Sequence, residues 1–243
     1  MTIKKFILVA MAALVFLQPT IITAAEESIP VYYNDQTERI FAYSDQSEKS
    51  DSEKSKKIAL TFDDGPHPRY TQEILDILKE HNITATFYVL GENVEKYPQV
   101  FQQIVEQGHE IGNHTYDHNI GGKSAEDIAN QLKKTAKIID ETTGKSPTTF
   151  RPPGGLINSS VKSAARELEY PIILWNIDPR DWRNPPAGAM AEYVKKTVKS
   201  GDVILFHDFN VANSHTPDAV RSIVPWLAEQ GYEFVTVSQL FEF

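Results

Sequence analysis

A chain of 243 residues and 27.4 kDa has room for one ordinary domain with modest extras. Hydrophobic residues at 41% and charged ones at 23% supply a core and exclude wholesale disorder. The 24 basic against 33 acidic residues give a net charge of -9, the wrong sign for nucleic acid, and the absence of cysteine leaves only His, Asp and Glu to hold a metal.

Residues 1–25 read as one unit: Lys4 and Lys5, an apolar run from Phe6 to Leu17, and a polar stretch ending in Thr23, Ala24 and Ala25. A positive start, an apolar region of about a dozen residues and small residues at its end describe a secretory signal peptide. Extended through Ile21 and Ile22, the same run approaches the ~20 residues of a membrane anchor, a reading weakened by Gln18, Pro19, Thr20 and Thr23. Either way the leading lysines stay inside, and the rest of the chain is expected to be secreted or associated with the cell wall. Residues 26–56 hold eight acidic and four basic residues, many serines and the near repeat SDQSEKSDSEKSKK, and read as a flexible charged linker. The folded domain is expected over 57–243, with a net charge of -7.

From Lys57 onward β-rich runs alternate with amphipathic stretches. KIALTF precedes a helical pattern over Tyr70 to His81, TATFYVL one over Tyr97 to Gln107, and HEIGNH one over Ala125 to Thr142. TTFRPP precedes Ser159 to Glu169, PIILWNI precedes Ala189 to Ser200, DVILFH precedes Pro217 to Gln230, and EFVTVSQLF ends the chain. Seven strand candidates separated by six helical patterns point to parallel β/α units, closed into a barrel of about seven parallel strands. An open Rossmann-like sheet is the alternative, but no GxGxxG follows the first strand. A barrel makes a claim about location: the strand C-terminal ends carry the chemistry.

Ionisable residues do gather there. The first strand runs into Asp63-Asp64-Gly65-Pro66, the third into His114 with His118 four residues on, the fourth into Arg151, the fifth toward Asp178 and Asp181-Trp182, the sixth into His207-Asp208. Two histidines four apart can reach one ion, and Asp64 would complete a two-His, one-carboxylate set with an open position for water. Adjacent aspartates before Gly-Pro also suit a simple capped turn. Successive side chains at a strand exit point to different sides, which gives Asp63 and Asp64 separate jobs, and His207 is a second proton-transfer candidate.

TFDDGP, HTYDH, RPPGG, DPRDW and LFH, in this order from Thr61 to His207, resemble the five motifs of the polysaccharide deacetylases, the NodB-homology domain of carbohydrate esterase family 4. The resemblance covers the chain from Lys57 onward and implies a distorted (β/α) barrel that removes N-acetyl groups from a glycan with one divalent metal ion, zinc first, with cobalt, nickel or manganese as alternatives. It implies that Asp63 is the base and that Asp64, His114 and His118 are metal ligands. Thr115 would steady the histidine loop and Arg151 would orient the base. His207 would be the acid, tuned by Asp181, while Trp182 and Leu205 would wall the acetyl methyl. Prolines cannot donate, so the first N–H after the Pro pair, that of Gly154, is the candidate for the oxyanion. The expected partner is an N-acetylated glycan, peptidoglycan N-acetylglucosamine or N-acetylmuramic acid before chitin-type oligomers, met by a monomer that touches membrane only through an uncleaved N-terminus. O-acetyl esterase activity, or a glycan-binding barrel without turnover, would use the same surface.

Overall fold

The computed structural model describes Val31–Tyr32, 56–209 and 211–242; the signal segment and nearly all of the linker lie outside these residues. Seven strands follow in chain order: β1 Val31–Tyr32, β2 Lys56–Asp63, β3 Thr86–Val89, β4 Glu110–Asn113, β5 Ile172–Ile173, β6 Val203–His207 and β7 Tyr232–Phe234. The helices are α1 Tyr70–Glu80, α2 Gly91–Lys96, α3 Pro98–Glu106, α4 Ala125–Thr143, α5 Ser159–Glu167, α6 Ala187–Thr197, α7 Thr216–Glu229 and α8 Val237–Phe241. Every strand pairing is parallel. The main sheet runs β4-β3-β2-β6, with β7 on the N-terminal residues of β2. Single bridges from Asn113 to Phe150, Phe150 to Ile172 and Ile177 to Ile204 carry the wall from β4 through β5 back to β6. The barrel therefore closes, and its distortion has a location.

Alternation along β2 explains both faces of that wall. Ile58, Leu60 and Phe62 are fully buried against the helices, whereas Ala59 faces a small interior cluster with Tyr88, Ile173, Val203 and Val237. Each such outer side chain contributes on the order of 1.5–3 kcal/mol by its burial. Thr61 and Asp63 share the inward parity and are reached from within by Arg151. Gly112 in β4 is required by packing: a Cβ there would run into the Tyr88 ring.

Several elements differ from the sequence expectation, among them α2, which was not expected, and PIILWNI, which pairs as a strand only over β5. TTFRPP leaves only the Phe150 bridge, because Pro152 and Pro153 have no N–H to offer a ladder. EFVTVSQLF is extended only to Phe234; Thr236 then caps α8, its Oγ1 accepting from the Gln239 N–H while Gln239 Oε1 accepts from the Thr236 N–H. That T-x-x-Q capping box was readable but masked by the alternating apolar residues around it. Val31–Tyr32, expected within the flexible linker, pairs with Ile172–Ile173.

Candidate active site

The strand ends converge on one rim. Asp63 closes β2, nearly buried, and its Oδ1 accepts a 2.7 Å hydrogen bond from Arg151 Nη1. Arg151 is itself fully buried, and three further hydrogen bonds hold it across the barrel: Nη1 also reaches Thr61 Oγ1 at 2.8 Å, Nε the Ile173 carbonyl at 3.2 Å and Nη2 the Leu174 carbonyl at 3.1 Å. Its guanidinium lies 4.0 Å from the Tyr88 ring centroid. A buried charge needs this much company, and Asp63 Oδ2 remains on the open side of the pair, 3.8 Å from His114 Nε2.

Asp64 turns away from Asp63 through a positive φ of 76°. Its Oδ1 is buried without a hydrogen-bond partner, while His114 Nε2 and His118 Nε2 each lie 3.4 Å from it. That spacing is long for a hydrogen bond but matches the edge, about 3.4 Å, of a tetrahedron with ligand bonds of about 2.0–2.1 Å. Among the described residues Asp64, His114 and His118 form a group able to hold a metal ion, their ligand atoms within 4.8 Å of one another. His114 Nδ1 meets the Arg151 carbonyl at 2.6 Å, which assigns the proton to Nδ1 and leaves the Nε2 lone pair for an ion. Burial opposes ionisation of Asp64, but the adjacent His114 imidazole, joined by those of His207 and His118, holds its carboxyl below the ordinary range; burial also lowers His118. Both effects favour the ligand forms.

The histidine loop is strained and strapped. Thr115 and His118 have φ values of 75° and 62°, unfavourable for residues with a Cβ. Asn113 Oδ1 accepts from the Thr115 N–H, Thr115 Oγ1 from the His118 N–H, and Gln131 Oε1 from the Tyr116 and Asp117 N–H groups.

On the opposite side, His207 ends β6, and its Nδ1 meets Asp181 Oδ1 at 2.7 Å. Asp181 is buried and doubly fixed, its Oδ2 accepting from the His207 N–H and from Thr216 Oγ1 at 2.8 Å. Burial alone would depress the His207 imidazole, but the Asp181 hydrogen bond and charge, joined by Asp63 and Asp64, raise it to about 9. Leu205 is buried two residues earlier on the inward face of β6, and Trp182 stands 45% exposed beside Asp181, with Arg183 stacked on it. Gly154 has a φ of 61°; turn hydrogen bonds engage the N–H groups of Gly155 and Leu156, leaving that of Gly154 outside them.

Asp208, at the same strand end, deserved a role that spacing alone did not give it. It is buried, takes a 2.5 Å hydrogen bond from Thr71 Oγ1, and its N–H donates to the Asp63 carbonyl. It presses against Gly65, where a Cβ would collide with its carboxyl group. Burial first, and the Asp64 charge opposing the Thr71 bond, push its carboxyl up to about 7. The only sequence signal was one more acid at the rim. Asp178, by contrast, is drawn into its own turn, Oδ1 accepting from the Arg180 N–H. His67 and His109 likewise serve the fold: His67 Nδ1 accepts from the N–H groups at the start of α1, and His109 Nδ1 from the Ala85 N–H.

The polysaccharide deacetylase family profile matches residues 50–173. A peptidoglycan-N-acetylglucosamine deacetylase of Bacillus cereus is 42% identical over 191 residues, covering 77% of this chain and 89% of that protein. The peptidoglycan-N-acetylmuramic acid deacetylase PdaC of Bacillus subtilis is 39% identical over 188 residues, covering 77% of this chain and 39% of PdaC. A solved structure of PdaC superposes with a TM-score of 0.72 over 77% of this chain and 91% of that one, at 39% identity. A chitooligosaccharide deacetylase of Azorhizobium caulinodans is 31% identical, covering 72% of this chain and 90% of that protein. With the five motifs folded onto one barrel rim and a family match of this extent, the chain belongs to the polysaccharide deacetylase family.

Proposed function

We propose that this chain is an extracytoplasmic, metal-dependent N-deacetylase of a cell-wall glycan, acting on peptidoglycan N-acetylglucosamine or N-acetylmuramic acid before chitin-type oligomers. One observation carries the reading: a candidate ion site, a carboxylate held by a buried arginine, and an imidazole held by a buried carboxylate share a single rim. Asp64, His114 and His118 would hold the ion, and two imidazoles with one carboxylate suit zinc first, with cobalt, nickel or manganese as alternatives. When bound, such an ion supplies Lewis acidity toward the acetyl carbonyl and lowers the pKa of water.

The residues of the chain divide the remaining work. Arg151 fixes Asp63 through Oδ1, so Oδ2 is the oxygen that takes a proton from the attacking water. The Gly154 N–H, not used by the turn hydrogen bonds, would receive the negative charge that develops on the carbonyl oxygen, where one aimed donor is worth about 3 kcal/mol. His207, its Nδ1 proton engaged by Asp181, has Nε2 left to protonate the departing sugar amine. Trp182 and Leu205 offer the apolar surface for the acetyl methyl. Acetate and a free amino sugar are the products.

The test is mass spectrometry of muropeptides, chitooligosaccharides and acetylxylan after incubation with the metal-loaded protein. Loss of one acetyl group, replaced by hydrogen, from the amino sugars is the expected result. Release from acetylxylan alone would replace the amidase reading with an esterase, and tight glycan binding without acetate release would replace it with a binder.

A further inference from the structure

Beside the loop that carries Asp181 and Trp182 lies a groove of about 730 Å³, a size that accommodates small organic ligands. Leu174, Trp175 and Met190 give it an apolar lining, and Arg180, Arg183 and Tyr193 give it donors. Two contacts join it to the catalytic rim. The Trp175 ring lies 3.0 Å from where a Cβ would stand on Gly155, in the turn that presents the Gly154 N–H. Arg183 stacks on Trp182, its guanidinium carbon 4.5 Å from the ring.

Two arginines against one carboxylate, Asp178, give the groove lining a net positive charge within a domain that is net acidic. Among the described residues neither Arg180 nor Arg183 is in an ion pair. The polar neighbours are already engaged: Asp178 accepts from the Arg180 N–H, Asn176 bonds Asp202 and the Val203 N–H, and Glu192 on α6 pairs with Lys196. Tyr193 in the lining and Trp182 beside Arg183 are exposed by 43% and 45%.

Building on the deacetylase reading, we propose that this groove binds an acidic, peptide-type branch carried by the sugar next to the one being deacetylated. Arg180 and Arg183 pair with the carboxylates of the branch, and Trp175 and Met190 pack its aliphatic part. The guanidinium is suited to this because its planar fork matches a carboxylate, and stacking on Trp182 orients Arg183 before the ligand arrives. A neutral chitin-type oligomer has no group for either arginine, so the groove separates substrates that share the same acetamido group. It also answers how a net acidic domain engages an anionic wall polymer: the attraction is confined to one groove.

The test compares kcat/KM for peptide-bearing glycan strands and for chitin-type oligomers of equal sugar number, in wild type and in Arg180→Gln, with Arg183→Gln and the double variant alongside. The ratio of the two substrates falls about fivefold in Arg180→Gln, through KM, and more in the double variant; raised salt reduces the wild-type ratio in the same sense. An unchanged ratio, or an equal fall on both substrates, overturns the subsite. Titration calorimetry with a soluble peptide-bearing disaccharide reads the groove without turnover. Arg180-dependent binding by a protein that releases no acetate overturns the deacetylase reading and keeps the subsite, while binding indifferent to Arg180 overturns the subsite.

Discussion

Two stretches of the barrel wall are built by different means. Through β2, β3 and β4 the strands pair residue by residue over four positions between β3 and β4, and β2 matches β6 over five. Across 148–177 the same wall consists of a bridge at Phe150, the two residues of β5 and a bridge at Ile177. Pro152, Pro153 and Pro171 remove N–H groups that a ladder would need. What replaces the ladder is a side chain: Arg151 spans the interior and satisfies the Ile173 and Leu174 carbonyls, while its other donors hold Thr61 and Asp63 on β2. The regular half sets the register of the carboxylates and histidines. The irregular half gives up backbone pairing and leaves room for a groove and an exposed Trp182.

The sharpest break of this comparison is Arg151→Met, which strikes both halves. Removing one partner of a buried pair should cost about 3–5 kcal/mol of stability, read by denaturant or thermal unfolding, and abolish turnover. Unchanged stability would mean that Arg151 is not the brace between them. Within the regular half, Asp63→Asn should lower kcat by about a thousandfold while elemental analysis finds metal content retained. His118→Ala should instead weaken metal affinity by more than about a hundredfold, read by competition with a chelator, and lower activity with it. Similar metal loss in both variants would erase the separation of base from ligand.

The acid side should show itself in pH. His207 is raised to about 9, so its charge contributes stability that is fully present below about 6.5 and lost as pH rises through about 9. The basic limb of kcat should fall near pH 9, and Asp181→Asn should move that limb to lower pH, because it removes the Asp181 charge that raises the imidazole and that strengthens the hydrogen bond to it. The smallest effect is expected of Thr216→Val, which deletes one hydrogen bond to Asp181 Oδ2 and should cost about 1 kcal/mol, a change in kcat of less than about tenfold.

The same division decides what could be read in advance. KIALTF and DVILFH announce their strands because one face of each packs under helices and the other lines the interior, and their last residues then have to point at the rim. The rim positions of Asp63, Asp64 and His207 were legible for that reason. The shrunken wall at Phe150 was not, since its pairing is supplied by an arginine whose partners are up to 90 residues away. Nor were the straps: Gln131 on α4 holds the histidine loop through contacts that no local pattern specifies. Asp208 was visible as an acid but not as a support, because its work depends on Thr71 and on the missing side chain at Gly65.

That missing side chain couples two positions far apart in the chain. The turn after β2 can pass the end of β6 only because Gly65 has no side chain where the Asp208 carboxyl stands. Positions 65 and 208 are thus under a joint steric rule: any side chain at 65 calls for a smaller residue at 208, and the loss of Asp208 leaves a void that alanine at 65 can fill. Related sequences should display this as correlated replacement, and a library randomised at both positions should recover active pairs along one anticorrelated diagonal of side-chain volume.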